Sequence, residues 1–158
     1  MRDPDPGMSV IVQTVTRLLK GFILLYGIFI VLYGHLTPGG GFAGGVVIAC
    51  GFVLLALAGG GQQAQQFLPR AATSVLDSVG VLLFLALAAT GMLLAGGVFF
   101  TNFITTSQSS WFTLFSGGVI PLANISLGLK VASSLFLVFA ALAAFRVLTD
   151  VRDRDGQD

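Results

Sequence analysis

Three side chains in or beside apolar stretches of this sequence could take part in moving ions or protons: His35, Asp77 and Lys130. An imidazole changes its charge near neutral pH, and carboxylates and ammonium groups inside membrane proteins commonly mark proton and ion pathways. The sequence offers no pair of carboxylates in the middle of an apolar stretch. We therefore do not expect the chain to act alone as a sodium or proton carrier.

The composition indicates that these side chains belong to a membrane protein. Hydrophobic residues make up 55% of the 158-residue chain, whereas Asp, Glu, Lys and Arg together make up only 9%. A soluble domain needs about 25% charged residues, so we expect a multi-pass protein of the cell membrane, covered by lipid and by other subunits. The net charge of +1 excludes a basic field for nucleic acid. The single Cys excludes an internal disulfide and any multi-Cys metal or iron–sulfur site, and we expect no cofactor.

Four apolar stretches must position the candidate side chains. Each is about long enough to cross the ~30 Å hydrocarbon layer as a helix, and none alternates like a barrel strand. The predicted spans cover residues 18–36, 42–58, 75–100 and 125–148. The sequence therefore predicts an all-α integral membrane protein with four transmembrane helices. We expect one domain over residues 1–158, with mobile tails at 1–9 and 150–158.

The positive charges predict the direction of the spans. Seven of the eight Lys and Arg residues lie in the N-terminal segment up to the start of the first span, between the second and third spans, or in the C-terminal segment: Arg2, Arg17, Lys20, Arg70, Arg146, Arg152 and Arg154. Cytoplasmic segments of membrane proteins carry such an excess of Lys and Arg. Both termini are therefore predicted to be cytoplasmic.

These span boundaries place each candidate side chain near a membrane surface. His35, at the end of the first span, is either an interfacial polar residue or a proton-handling group. Asp77, a turn or less inside the third span, either stabilises the helix N-terminus or pairs with a basic residue of this or another subunit. Lys130, about a turn inside the fourth span, either snorkels to the outer interface or lies on an ion or proton path, facing a cavity or a partner's carboxylate.

The sequence GHLTPGGGFAGG, over residues 34–45, joins the first two spans. Pro38 stops a helix and the glycines after it allow positive φ angles, so the chain is expected to reverse within a few residues. Gly41, Gly45 and Ala49 then form a stripe without large side chains, which another helix can approach closely. The segment is predicted to be a tight helical hairpin with a docking face. Alternatively, its unwound backbone also lines a hydrated cavity beside His35.

Asn124 precedes the predicted fourth span. The sequence Asn124-Ile125-Ser126 fits a glycosylation sequon, but it abuts the membrane. We therefore expect that Asn124 caps the N-terminus of the fourth span.

Two segments resemble the MnhB/MrpB family, the small membrane subunits of Mrp-type multisubunit sodium/proton antiporters. One is the hairpin sequence 34–45, with its His-x-x-Pro-Gly-Gly-Gly-Phe pattern, and the other is IPLANISLGLKV over residues 120–131. The resemblance covers about residues 10 to 148. It implies an accessory, non-enzymatic subunit that assembles with larger antiporter-like subunits and other small ones, in a complex that exports Na⁺ in exchange for H⁺. It also implies importance for His35, Pro38 and Phe42 of the hairpin and for Lys130 of the last helix. From their place in the two segments, we expect structural or subunit-packing roles for Pro38, Gly39, Gly40, Gly41, Phe42, Gly45 and Asn124.

One difference from the antiporter pattern is compatible with a second kind of parent complex. Many antiporter members have Asn after the histidine, whereas this chain has Leu36. In this respect it is similar to the homologous subunit of membrane-bound hydrogenases and related redox-driven ion pumps. A third interpretation is a pure scaffold with no residue on an ion path.

Overall fold

The computed structural model describes residues 10–59, 69–94, 98–104 and 117–155, with side chains described as far as Phe145. These parts contain four α-helices and no strand: α1 Val10–Leu32, α2 Gly40–Gly59, α3 Arg70–Leu94 and α4 Ile120–Asp155. Each is long and apolar enough to cross a membrane, in α4 over Ile120–Phe145. The predicted all-α fold with four membrane spans is thereby confirmed.

The helix ends differ from the predicted span ends. The first helix begins at Val10, and α4 continues through residues 150–155, which were predicted as part of a mobile tail. The predicted tail residues 1–9 and 156–158 lie outside the described parts. The third helix begins at Arg70 and the fourth at Ile120, each five residues before the predicted span. Pro121 lies in the first turn of the last helix, where proline is tolerated because its missing N–H would have no intrahelical partner.

The third helix also ends earlier than predicted, at Leu94 rather than at Phe100. The apolar residues that extended the prediction lie instead in the segment 98–104, which contacts α3. The ring of Phe100 contacts the ring of Phe84 with centroids 5.0 Å apart, and Phe100 has a φ of 58°. Apolar composition alone cannot distinguish such a segment from two more helical turns.

The helices pack in the spatial order α1, α2, α4, α3, and α1 also touches α4. Contacts between glycines and their neighbours show that α1 is antiparallel to α2, that α2 and α4 run in the same direction, and that α3 is antiparallel to α4. Small side chains dominate the contacts that hold the bundle together. Buried residues include Ala49, Ala58 and Ala88.

Glycines allow α2 to touch two helices at the backbone. A Cβ atom added at Gly45 would lie 2.7 Å from the carbonyl oxygen of Gly128 in α4. One added at Gly44 would lie 2.8 Å from the backbone nitrogen of Val31 in α1. The close helix approach that the spacing of Gly41, Gly45 and Ala49 predicts is therefore present between α2 and α4, and all three residues are buried.

Much of the apolar surface faces outward. In α3, every residue from 81 to 86 is exposed, so a full turn of this helix keeps much of its side-chain surface outside the bundle. Outward-facing apolar side chains on a membrane-spanning helix require lipid or another subunit around them.

Candidate functional site

The structure joins two of the three candidate side chains in an ion pair. The Lys130 ammonium donates to both carboxylate oxygens of Asp77, with Nζ–Oδ1 and Nζ–Oδ2 distances of 2.6 Å. The hydroxyl of Ser134 donates to Oδ1 of the same carboxylate. The Asp77 carboxylate is thus bound by one cation and one hydroxyl, both from α4.

Local sequence explains why these groups meet. Lys130 and Ser134 are four residues apart on α4, so they lie on one face of that helix. Gly80 lies three residues after Asp77 on α3, and a Cβ atom there would lie 2.8 Å from the backbone nitrogen of Lys130. Because Gly80 has no side chain, α3 approaches α4 closely enough for the carboxylate to reach the ammonium.

The ion pair lies deep within the helices, which corrects the predicted depths. Asp77 is about 10 Å along α3 from Arg70, and Lys130 is about 15 Å along α4 from Ile120, by the helical rise per residue. Because the predicted spans began five residues too late, Asp77 and Lys130 were placed near opposite membrane surfaces. The structure brings them to one depth. Of the two roles predicted for Asp77, pairing with a basic residue of this chain is the one that the structure shows, and the helix-end role is wrong. Lys130 binds that carboxylate instead of snorkelling to the outer interface.

The ion pair is open to the outside of the bundle. The side chain of Lys130 remains 34% exposed and that of Asp77 24% exposed. Charged groups facing hydrocarbon are costly, so in membrane proteins they face a partner, a bundle interior or water. Pairing the opposite charges lowers that cost, whereas removing one partner leaves an uncompensated charge. The exposed side of the pair is where a neighbouring subunit or an ion could reach the carboxylate.

His35 lies away from this pair. It follows α1 in the turn before α2 and is half-buried. Its ring packs against the backbone at Gly117, where an added Cβ atom would lie 3.1 Å from Cδ2 of the imidazole. Gly117 precedes α4, so His35 lies near the start of α4, about 15 Å along the helix from the level of Lys130. The structure therefore does not bring all three candidate groups together.

Asn124 does not cap its own helix. It lies inside α4, and its Oδ1 accepts a hydrogen bond from the backbone N–H of Gly41 at 3.2 Å. Gly41 is in the first turn of α2, where backbone N–H groups lack an intrahelical partner. Asn124 is thus a cap supplied by α4 to α2, and the predicted capping of the fourth helix is wrong. A polar side chain opposite a glycine stripe is the signal that could have suggested this role.

The remaining hairpin residues shape the turn between α1 and α2. Gly39 and Gly40 have φ angles of 126° and 61°, the positive values predicted for this segment. Pro38 and Gly39 are exposed, and Phe42 is 60% exposed. More than half of the Phe42 side chain therefore lies outside the packing of the described helices.

Within the described residues, no group of three or more His, Cys, Asp or Glu side chains is placed to hold a metal ion. Two members of the charged site, Ser134 and Gly80, were not predicted. Ser134 is detectable only as the residue four positions after Lys130, and Gly80 only once Asp77 is known to face α4.

The sequence of this chain is similar to subunits of known membrane complexes. Residues 11–137 match the family described as a domain related to the MnhB subunit of Na⁺/H⁺ antiporters. An uncharacterized protein of Methanocaldococcus jannaschii is 36% identical over 131 residues, which is 78% of this chain and 48% of that protein. A Staphylococcus aureus protein named as antiporter subunit mnhB2 is 36% identical over 61 residues, which is 39% of this chain and 43% of that protein.

A solved structure shares the fold over most of the chain. It is a chain of the membrane-bound sulfane sulfur reductase, described as an archaeal respiratory membrane complex, with a TM-score of 0.72 and 32% identity. The match covers 89% of this chain and 60% of that chain. This chain spans about half the length of the sequence relatives above. The Staphylococcus aureus relative and the chain of known structure are named as parts of membrane complexes.

Proposed function

Because this chain belongs to the family of domains related to the MnhB subunit of Na⁺/H⁺ antiporters, we propose that it is an accessory subunit of an Mrp-type complex. The complex exchanges monovalent cations, Na⁺ in the first place, for protons across the cell membrane. The subunit has four spans and both termini in the cytoplasm, and it acts without a cofactor. The observation that carries this proposal is the Asp77–Lys130 ion pair inside the membrane-spanning part of the bundle.

The cost of placing charges in a membrane supports a functional pair. A charged side chain at the centre of a transmembrane helix costs about 2.5–3.5 kcal/mol on insertion scales. A purely structural contact between α3 and α4 needs no such groups, because apolar residues of similar volume pack at least as well as a buried ion pair. Two ionised groups held at one depth therefore suggest a role that depends on their charge.

The partial exposure of the pair supports a neighbouring subunit on that side. If lipid alone covered this face, about a third of the Lys130 side chain and a quarter of the Asp77 side chain would meet hydrocarbon. A polar surface of another antiporter subunit, or water enclosed by it, removes that penalty. The Asp77–Lys130 pair is therefore proposed to lie against the ion path of the complex.

The geometry provides a way to respond to an ion. A proton or a cation that reaches the Asp77 carboxylate neutralises its charge and weakens its hold on Lys130. The Lys130 ammonium, at the end of a flexible four-carbon chain, then turns toward other acceptors. The charge presented to the neighbouring subunit thus changes with the occupancy of Asp77. His35, outside this pair, is proposed to hold the turn before α2 against the start of α4.

Deletion and complementation test the proposed function. We expect that membrane vesicles from cells lacking this subunit lose Na⁺-dependent proton movement, measured with a pH-sensitive dye, and that the wild-type chain restores it. The amounts of the other subunits are measured in the same vesicles. Unchanged Na⁺-dependent proton movement in the deletion strain, with the other subunits still assembled, would contradict an antiporter role.

A second parent complex is favoured by one observation, the fold shared with a chain of an archaeal respiratory membrane complex. In that case the same subunit would belong to the ion-translocating arm of a redox-driven pump. Purification of the tagged chain in mild detergent, followed by mass spectrometry, separates the two. Antiporter-like subunits alone support the exchanger. Stoichiometric iron–sulfur or hydrogenase-type subunits support the redox pump.

A further inference from the structure

A cavity of about 150 Å³ lies between α1 and the last turn of α2, separate from the Asp77–Lys130 pair. Other proteins bind a benzene-sized molecule in a cavity of this volume. One wall is polar and comes from a single face of α1, with side chains spaced three or four residues apart. These are Gln13, Thr16, Arg17 and Lys20. The opposite wall is apolar and comes from α2 at Leu55 and Ala58.

The cavity lies at the depth of lipid headgroups. The 20 residues of α2 extend for about 30 Å, the thickness of the hydrocarbon layer. Because Leu55, Ala58 and Gly59 are close to the end of α2, the cavity lies where the hydrocarbon meets the headgroups. The polar wall then faces the headgroup layer and the apolar wall continues into the hydrocarbon.

The polar wall is cationic and rich in hydrogen-bond donors. The guanidinium of Arg17 presents donors in a planar fork that matches phosphate oxygens, and Lys20 adds a second positive charge. The amide of Gln13 and the hydroxyl of Thr16 add neutral donors. Arg17 and Lys20 thus place two positive charges on this wall. The wall of the cavity therefore attracts an anion.

We propose that this cavity binds a phosphate-bearing anion, held by Arg17 and Lys20. The apolar wall from α2 and the depth of the cavity favour the phosphate of an anionic lipid headgroup over free phosphate. Basic pockets between transmembrane helices bind such headgroups in membrane proteins generally. The site does not depend on the antiporter role, since it involves neither Asp77 nor Lys130.

Alternatively, Arg17 and Lys20 bind no anion and only stabilise the C-terminal end of α2. The C-terminal end of a helix carries partial negative charge, which nearby cations stabilise. On that account Arg17 and Lys20 stabilise the end of α2, and removing them lowers stability without affecting any lipid. The chain offers a matched control, because Arg70 is an exposed basic residue at the start of α3 that does not line the cavity.

The test uses the complex purified with the full chain and reconstituted in nanodiscs of phosphatidylcholine, with or without phosphatidylglycerol. Phosphatidylglycerol that stays bound through detergent washing is quantified by mass spectrometry. We expect retention by the wild type and by Arg70→Gln, and loss by Arg17→Gln/Lys20→Gln. Affinity should fall about fivefold for each charge removed, and Arg17→Lys should retain most of the lipid because its charge remains.

Two further measurements distinguish a lipid phosphate from free phosphate and keep the test valid if the double variant does not assemble. Inorganic phosphate that raises the thermal midpoint of the wild type in phosphatidylcholine, but not that of the double variant, supports free phosphate as the occupant. Equal lipid retention by the double variant and the wild type, or equal loss in Arg70→Gln, would overturn the site. If the double variant does not assemble, the thermal midpoint of the wild-type complex is compared with and without phosphatidylglycerol, and with and without phosphate. No rise in the midpoint with either ligand would overturn the proposed site.

Discussion

Replacing Gly45 by alanine should separate α2 from α4. The added Cβ atom would lie 2.7 Å from the carbonyl oxygen of Gly128 and 2.8 Å from Cβ of Val131. Ordinary contact begins at 3.4 Å, so the two backbones must move apart by about 0.7 Å. The obstructing atoms belong to a backbone and a β-branched side chain, and neither can rotate away.

The magnitude follows from two opposing effects. Inserting a methyl group into a closely packed contact costs about 1–3 kcal/mol, and a backbone neighbour places Gly45→Ala in the upper part of that range. Alanine regains up to about 1 kcal/mol through its helix propensity. We expect a net loss of about 2 kcal/mol, which lowers the thermal midpoint by roughly 5 °C for a chain of this size.

Two other glycines provide matched controls. A Cβ atom at Gly21 would meet nothing within 4 Å, so Gly21→Ala should be neutral or stabilising. At Gly51 the nearest atom is Cδ2 of Leu24, 3.1 Å away, at the flexible end of a side chain, so Gly51→Ala should have an intermediate effect. The midpoints are measured by thermal unfolding of the purified complex in one detergent. Equal midpoints for Gly45→Ala and Gly21→Ala would refute the close approach of α2 and α4.

Three further outcomes follow from the structure. Asn124→Ala removes the acceptor of the Gly41 N–H. It should destabilise the chain by about 1–3 kcal/mol and speed amide hydrogen exchange at Gly41, and unchanged exchange there would exclude the cap. Asn102→Ala, which removes an acceptor far from Gly41, should leave the exchange at Gly41 unchanged. His35→Ala should reduce assembly, because the imidazole ring packs against Gly117. An assembled but inactive His35→Ala complex would instead indicate proton handling. Reporter fusions should place both termini in the cytoplasm, and an external reporter at either end would contradict the predicted direction.

The four helices and the glycine contacts were predictable because their signals are local. The length of an apolar stretch alone identifies a span. Gly41 and Gly45 are four residues apart, so they lie on one face of a helix wherever that helix packs. The sequence left pairing open as one of two roles for Asp77, but the identity of its partner was not predictable, because it depends on the relative depth of two helices. An error of five residues in the start of α3 and of α4 placed Asp77 and Lys130 at opposite membrane surfaces. The role of Asn124 was missed for a related reason, since the N–H that it caps belongs to a helix far away in sequence.

The measurement that tests the charged pair most directly is ion exchange by a complex carrying Asp77→Asn/Lys130→Gln. Either single substitution leaves one unpaired charge, which destabilises the bundle, so a single variant confounds assembly with function. The double variant removes both charges and should assemble. Cation–proton exchange is measured in reconstituted vesicles and normalised to the amount of assembled complex. Normal assembly with exchange lost is the predicted result, whereas exchange at the wild-type rate would show that the pair only holds α3 against α4.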